Sequence, residues 1–202
     1  MISSLVAAYN QLALRLTGAG RLWLTGLVAR FVFFATLFSY YLHSAGTKVG
    51  DGLFGLFDIQ AGAYAQIVPR IAEEAQYDPS AIPLLWKLFV YIGTYAEFAL
   101  PVLVVAGLLT RLSAVGMLIF ILVQSYVDMA FHGVTSEVAG QWFDRLVDGA
   151  IFEQRLFWSF PLLYLVIHGP GLVSAESMLG KLIGRRFLSV GMPCQAPNAS
   201  AL

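Results

Sequence analysis

The 202-residue chain is 58% hydrophobic and 12% charged, with a formal net charge of zero and a mean hydropathy of +0.74. Soluble domains carry about a quarter charged residues, so this composition points to lipid as the solvent and excludes a sizeable additional soluble domain. Zero net charge leaves no basic surface for nucleic acid, and the single Cys194 excludes an internal disulfide or a Cys-x-x-Cys pair.

Met1 to Leu14 has no basic residue ahead of its apolar positions, so a cleaved signal is not expected. Leu5, Tyr9, Leu12 and Leu16 recur at helical spacing, which predicts an amphipathic helix on the membrane surface within residues 1–25. A spanning helix needs about 20 mainly apolar residues. Four segments meet that length: about Gly26–Ala45, Leu84–Ala106, Leu112–Phe131 and Leu156–Val173. The predicted fold is an all-α integral membrane four-helix bundle over residues 26–175, followed by a tail over 176–202.

The turn Leu108-Leu109-Thr110-Arg111 is short enough to make spans two and three an antiparallel pair. Gly46–Pro83 is too long to be structureless, and Ala61–Ala75 reads as weakly helical, interrupted at Pro69. Val138, Trp142, Phe143, Leu146 and Ala150 fall on one helical face. Thr135 or Ser136 at its start and Gly149 at its end predict a second surface helix.

Basic residues set the expected orientation. Arg15, Arg21, Arg30, Arg111, Lys181, Arg185 and Arg186 share one side with a single acid, Glu176. The other side has five bases against ten acids. Both termini are therefore expected in the cytoplasm, in the inner cell membrane, with an acidic outer face. Trp23, Trp86 and Trp158 fall where interfacial anchors belong.

A charge inside a span costs about 2.5–3.5 kcal/mol on insertion scales, so it is expected to face the bundle and find a partner. Glu97, mid-way along span two, is the clearest case, and Gly93, Glu97 and Pro101 share its face. Arg30 in span one is the expected partner. The pair reads either as a proton-handling or ligand-anchoring site, or as a structural ion pair, or Arg30 snorkels to the inner headgroups. Gln124, Asp128 and His132 form a polar stripe on span three that leads to the outer surface. The stripe can conduct protons, and it is also what a helix end meeting water looks like. His43 and His132 lie at similar depth, the arrangement a haem between helices needs, and Asp128 with His132 offers two metal ligands. Neither pattern is specific. Tyr95 and its neighbouring aromatics offer walls for a quinone, or simply pack the bundle. No phosphate loop, nucleophile elbow or zinc spacing occurs.

Ala96-Glu97-Phe98-Ala99-Leu100-Pro101, followed by Gly107-Leu108-Leu109-Thr110-Arg111-Leu112-Ser113-Ala114, resembles the DoxX family of small membrane proteins. The family pattern is an intramembrane Glu, then Leu-rich residues and Pro, then Gly-Leu-x-Thr-Arg-x-Ala-Ala. His132, Gly169-Pro170-Gly171-Leu172-Val173-Ser174, Arg30 and Gly46-Thr47-Lys48 extend the resemblance over most of Ala29–Ser177. The chain departs from the family in having one residue rather than two between Gly46 and Lys48, and Glu176 where Asp is usual. The resemblance implies four spans. It also implies a link to quinone-dependent sulfur oxidation, membrane redox and oxidative-stress complexes, or metal-stress proteins.

The functional expectation is a membrane subunit of a quinone-linked redox or stress system. Glu97 and Arg30 would anchor or protonate the quinone headgroup, and Asp128 and His132 would exchange protons with the outer side. A protein partner or a homo-oligomer is expected, because the chain has no convincing redox centre of its own. Two alternatives stand beside it: a non-catalytic scaffold or metal- and partner-binding protein using the acidic outer face, and a small transporter. The absence of an internal repeat weighs against the transporter.

Overall fold

The computed structural model describes residues 21–52 and 54–188. The expected helix within residues 1–25 lies outside the described residues up to residue 20, as does Cys194. Among the described residues the chain is all-helical, with one isolated bridge between Val49 and Ile59.

The first span, Leu24–Gly46, is built from α1 (Arg21–Phe33), a π-helical turn (Phe34–Phe38) and α2 (Ser39–Gly46). Within that wider turn Phe34 and Phe38 lie near each other, their rings 5.3 Å apart. A π-turn inserts one extra residue and re-aims the face that follows. Beyond it Tyr40, Ser44 and Lys48 follow one another at four-residue spacing towards span two, while Tyr41 and Ala45 are buried.

Span two is α5 (Leu84–Ala106) and span three is α6 (Thr110–Phe131), 23 and 22 residues long. Gly107 ends α5 in the left-handed region at φ +69°, and the Leu108 amide reaches back to the Leu103 carbonyl. Leu109 is left-handed as well, at φ +47°. The two helices are thus antiparallel, as the short turn predicts. Among the described residues, they and the first span are the three helices long and apolar enough to cross a membrane.

The fourth helix, α8 (Phe152–His168), has 17 residues. It begins four residues before the expected Leu156 and stops five residues before the expected Val173. Gly169, at φ +79°, and Pro170 halt it. The Gly169-Pro170-Gly171 segment then passes against the first span, where a Cβ on Gly26 would lie 2.7 Å from the Gly171 nitrogen.

The helices pack in the cyclic order one, two, three, four. Phe33, Leu37, Tyr41, Val104, Met117, Ile121, Leu162 and Leu165 form the shared core. Phe31, Leu112, Leu122, Phe157 and Phe160 remain exposed around the outside. An apolar exterior around an apolar core is the signature of a bundle immersed in lipid. Trp158 is an exception to the expected interfacial anchors. It packs inward, with its ring 5.4 Å from that of Tyr40 and 6.5 Å from that of Tyr41.

Two elements close the turn end of the bundle. Arg30 donates from Nε and Nη2 to the Val105 carbonyl and from Nη1 to the Val173 carbonyl. The final helix, α9 (Ala175–Leu188), docks its first turn: the Glu176 amide donates to the Gly107 carbonyl at 3.0 Å, and the Glu176 carboxylate accepts from the Thr110 amide at 3.3 Å. These contacts satisfy helix-end groups that would otherwise lack partners in lipid.

At the opposite, loop end, residues 49–83 fold into a cap. It contains α3 (Ala61–Ile67) and α4 (Pro69–Glu74), split at Pro69 as expected. Ile59, Ala63, Tyr64, Val68, Ala72 and Ile82 form a second small core against Val90 of α5. Burial raises the Tyr64 hydroxyl above its ordinary pKa, and Tyr91 adds to the shift. Hydrogen bonds from Ser80 hold the Asp78 carboxyl below the usual carboxylate range at the start of the last cap turn.

The second loop departs from expectation. Instead of a surface helix through Ala150, α7 spans only Ser136–Ala139, and residues 140–149 form a hairpin. Gly140, at φ +80°, turns the chain out of the helix. The Ala150 and Ile151 amides then bond back to the Val138 and Ala139 carbonyls. Thr135 precedes α7 but makes no side-chain cap bond.

Gly107 is the hinge point of the turn end. A Cβ there would lie 2.7 Å from the Ser174 Cβ and 2.9 Å from the Arg30 Cζ, on a backbone that disfavours any Cβ by about 1–2 kcal/mol. Gly107→Ala is expected to lower the thermal midpoint in detergent by several degrees. Gly62→Ala, where a Cβ meets nothing within 4 Å, is expected to leave it unchanged.

Candidate functional site

Spans two and three are joined at Gly107, and toward the loop end a cavity of about 650 Å³ lies between them. The first span lines its back through Tyr40, Ser44 and Lys48, and the cap reaches its mouth through Gln66 and Ile67. Phe89 and Ile92 of α5 and Ile119 and Val123 of α6 line it and remain exposed. The cavity therefore opens sideways, between two spans, onto the face that lipid covers.

Its polar base is an ion pair. Lys48 Nζ lies 2.7 Å from Glu97 Oε2, with both side chains almost fully buried. The same ammonium donates to Ser44 Oγ at 2.9 Å and to the Ser44 carbonyl at 3.2 Å. Lys48 sits two residues beyond the first span, and its long stem carries the charge back into the bundle.

Arg30 is not the partner of Glu97. Val105, whose carbonyl it caps, lies eight residues beyond Glu97 on α5, about 12 Å along the axis. Two demands decide the outcome. The carbonyls next to the Gly107 helix end lack intrahelical donors and draw the guanidinium, while Lys48 already neutralises Glu97. Lys48 was missed because it follows the apolar run and counts as a loop charge. The Gly-x-Lys at the end of span one was the available signal.

Tyr95 does not join the site either. Two residues from Glu97, it faces away on α5, and its hydroxyl donates to the Leu56 carbonyl at 2.7 Å, pinning the cap. The polar stripe on span three does reach the cavity. Gln124 Nε2 donates to the Tyr40 hydroxyl at 3.0 Å, and His132 Nε2 lies 3.2 Å from the Gln66 carbonyl at the mouth. Asp128 pairs with Arg155 Nη2. Arg155 is buried at the head of α8, a position read from sequence as loop, so its role went unrecognised. An aspartate one turn inside the end of span three required a base at matching depth, and Arg155 is the nearest one in the chain beyond the second loop.

His43 is exposed and does not line the cavity, so the structure does not bring the two histidines together at this site. Among the described residues there is no group of three or more His, Cys, Asp or Glu that could hold a metal ion.

The acid mid-way along span two, the Thr110-Arg111 turn and the closing His132 thus lie in one structural unit. Residues 49–132 match the model of the DoxX family. That segment is similar to the DoxX family, and the three long apolar helices make the chain a multi-pass membrane protein. The matched segment contains Glu97, Thr110, Arg111 and His132, and it begins one residue after Lys48. Arg30 and Gly169-Pro170-Gly171 lie outside it. No curated protein and no solved structure gives a significant match to the chain.

Removing one partner of a buried ion pair costs about 3–5 kcal/mol, because the other charge is left unpaired. Lys48→Met is expected to destabilise the bundle by about that much, and the double variant Lys48→Met/Glu97→Leu to regain most of the loss; unfolding in detergent checks both. Arg30→Met combined with Glu97→Gln is expected to be additive in the same assay, since the two side chains share no partner.

Proposed function

We propose that this DoxX-like chain is a membrane subunit of a quinone-linked redox system, and that the cavity between spans two and three holds the quinone headgroup. The observation that carries the reading is the lateral opening. A cavity with an acid–base pair at its base and a side door onto lipid suits a ligand that is polar at one end and dissolves in the bilayer. The apolar walls at Phe89, Ile92, Ile119 and Val123 suit a ring and the first part of an isoprenoid tail.

The chemistry of the base supports a quinone among such ligands. Quinone reduction takes up two electrons and two protons, and its carbonyl oxygens need hydrogen-bond donors as charge develops. Lys48 supplies a cationic donor, and Gln124 and Tyr40 supply neutral ones. In reduction Lys48 gives the ligand a proton and regains one by way of Glu97; in the reverse direction Glu97 takes one from the quinol. Asp128 and His132 carry the polar wall from Gln124 to the mouth and provide steps for proton exchange with water. Electrons reach the site from a partner protein. With both termini in the cytoplasm of a cell with this protein in its inner membrane, the mouth opens on the outer side.

Protein purified from its native membrane in mild detergent is expected to carry stoichiometric extractable quinone. Gly93→Leu places a side chain in the cavity from a position where a Cβ meets only Ile67, at 3.5 Å. That variant is expected to keep the thermal midpoint and lose the quinone. Wild-type protein that neither carries quinone nor binds added quinone would sink the reading.

A further inference from the structure

The hairpin at residues 140–149 hangs from the loop ends of spans three and four, and its tip is apolar and uncovered. Phe143 is fully exposed, Val147 is 77% exposed, and Trp142 and Leu146 are more than half exposed. The base is tightly closed: a Cβ on Gly149 would lie 2.5 Å from the Gly140 Cα. The backbone is partnered where it turns, through the Ala150 and Ile151 amides and through the Leu146 amide donating to Asp144 Oδ1. The Trp142 indole N–H donates to the Phe152 carbonyl at 3.1 Å.

We propose that this hairpin inserts into the interfacial layer of the bilayer, beside the loop end of the fourth helix. Arg155 pairs with Asp128, and each lies three residues from the loop end of its helix, so α8 and span three end level there. Span three covers about 33 Å at 1.5 Å per residue against a hydrocarbon core about 30 Å thick, so the hairpin projects from the level at which the bilayer surface meets the bundle.

The lipid surface is the partner because the patch continues an apolar exterior that already faces lipid. Leu156, Phe157 and Phe160 of α8 are exposed directly below it. With its indole N–H bonded internally, Trp142 can enter the acyl boundary without stranding a donor. Asp144, Arg145 and Asp148 on the same hairpin fix the depth: they belong among headgroups, so the tip lies at the headgroup–acyl boundary and not in the hydrocarbon centre. The hairpin leads straight into Arg155, so its depth sets the height of the Arg155–Asp128 pair on the cavity wall.

The test uses the full chain with Cys194→Ser and a nitroxide label at Phe143→Cys, reconstituted in phosphatidylcholine vesicles. Collision with oxygen, which concentrates in lipid, is compared with collision with a water-soluble nickel chelate. Label at Leu122→Cys on span three gives the lipid reference, and label at Glu74→Cys in the cap gives the aqueous one. At Phe143→Cys oxygen accessibility is expected to exceed nickel accessibility severalfold, with the same sense at Val147→Cys. A profile like that of Glu74→Cys would overturn the proposal and leave the hairpin in water. Low accessibility to both reagents would also overturn it, since a protein surface would then cover the tip.

Discussion

A carboxylate half-way along a membrane span has no water to solvate it, and Glu97 meets that constraint through Lys48. Each charge alone would cost about 2.5–3.5 kcal/mol on insertion scales, so the two are retained only together. The pairing has architectural consequences because Lys48 is the last residue before the cap. Its ammonium draws the start of the cap down onto span two, directly ahead of the Val49–Ile59 bridge. Tyr95 and His132 hold the cap from the two sides of the cavity, through Leu56 and Gln66. The cavity lies between two helices joined at a fixed turn, under a cap tied to their ends.

The two ends of the bundle differ in kind. At the turn end Arg30, Gly107, Ser174 and Glu176 interlock around helix termini, with backbone groups as the main partners. At the loop end every such contact involves a side chain, two of them are ion pairs between side chains, and they border open space. Side-chain pairs can exchange partners with a ligand, whereas capped backbone groups cannot do so without unwinding a helix. This asymmetry is why the proposed chemistry belongs at the loop end, while the turn end holds the helices together.

The bundle was legible in the sequence because long apolar runs and a four-residue turn leave few alternatives. The limits of the fourth helix were less so: Gly169 and Pro170 were present in the sequence, but the apolar run continues through Val173, and hydropathy cannot see a backbone break. The hairpin was mistaken for a helix because Val138, Trp142 and Leu146 fit a helical period, while Gly140 and Gly149 set the chain direction. At the site, Glu97 and the Gln124–His132 stripe were found from the cost of polarity within a span. Their partners were not. Lys48 and Arg155 stand just outside the apolar runs and reach in, and the sequence alone does not show the direction of a long side chain. Arg30 in span one is the partner the sequence offers Glu97, but the orphan carbonyl at Val105 is the nearer demand.

The account rests on the claim that a lipid-soluble ligand occupies the space above the Lys48–Glu97 pair. A photoreactive quinone analogue, irradiated in membranes that contain the protein and mapped by mass spectrometry, tests that claim most directly. Attachment is expected between Phe89 and Glu97 on span two and between Gly116 and Gln124 on span three, with competition by unlabelled quinone. Attachment confined to exterior positions such as Leu112, Phe157 and Phe160, without competition, would contradict the account.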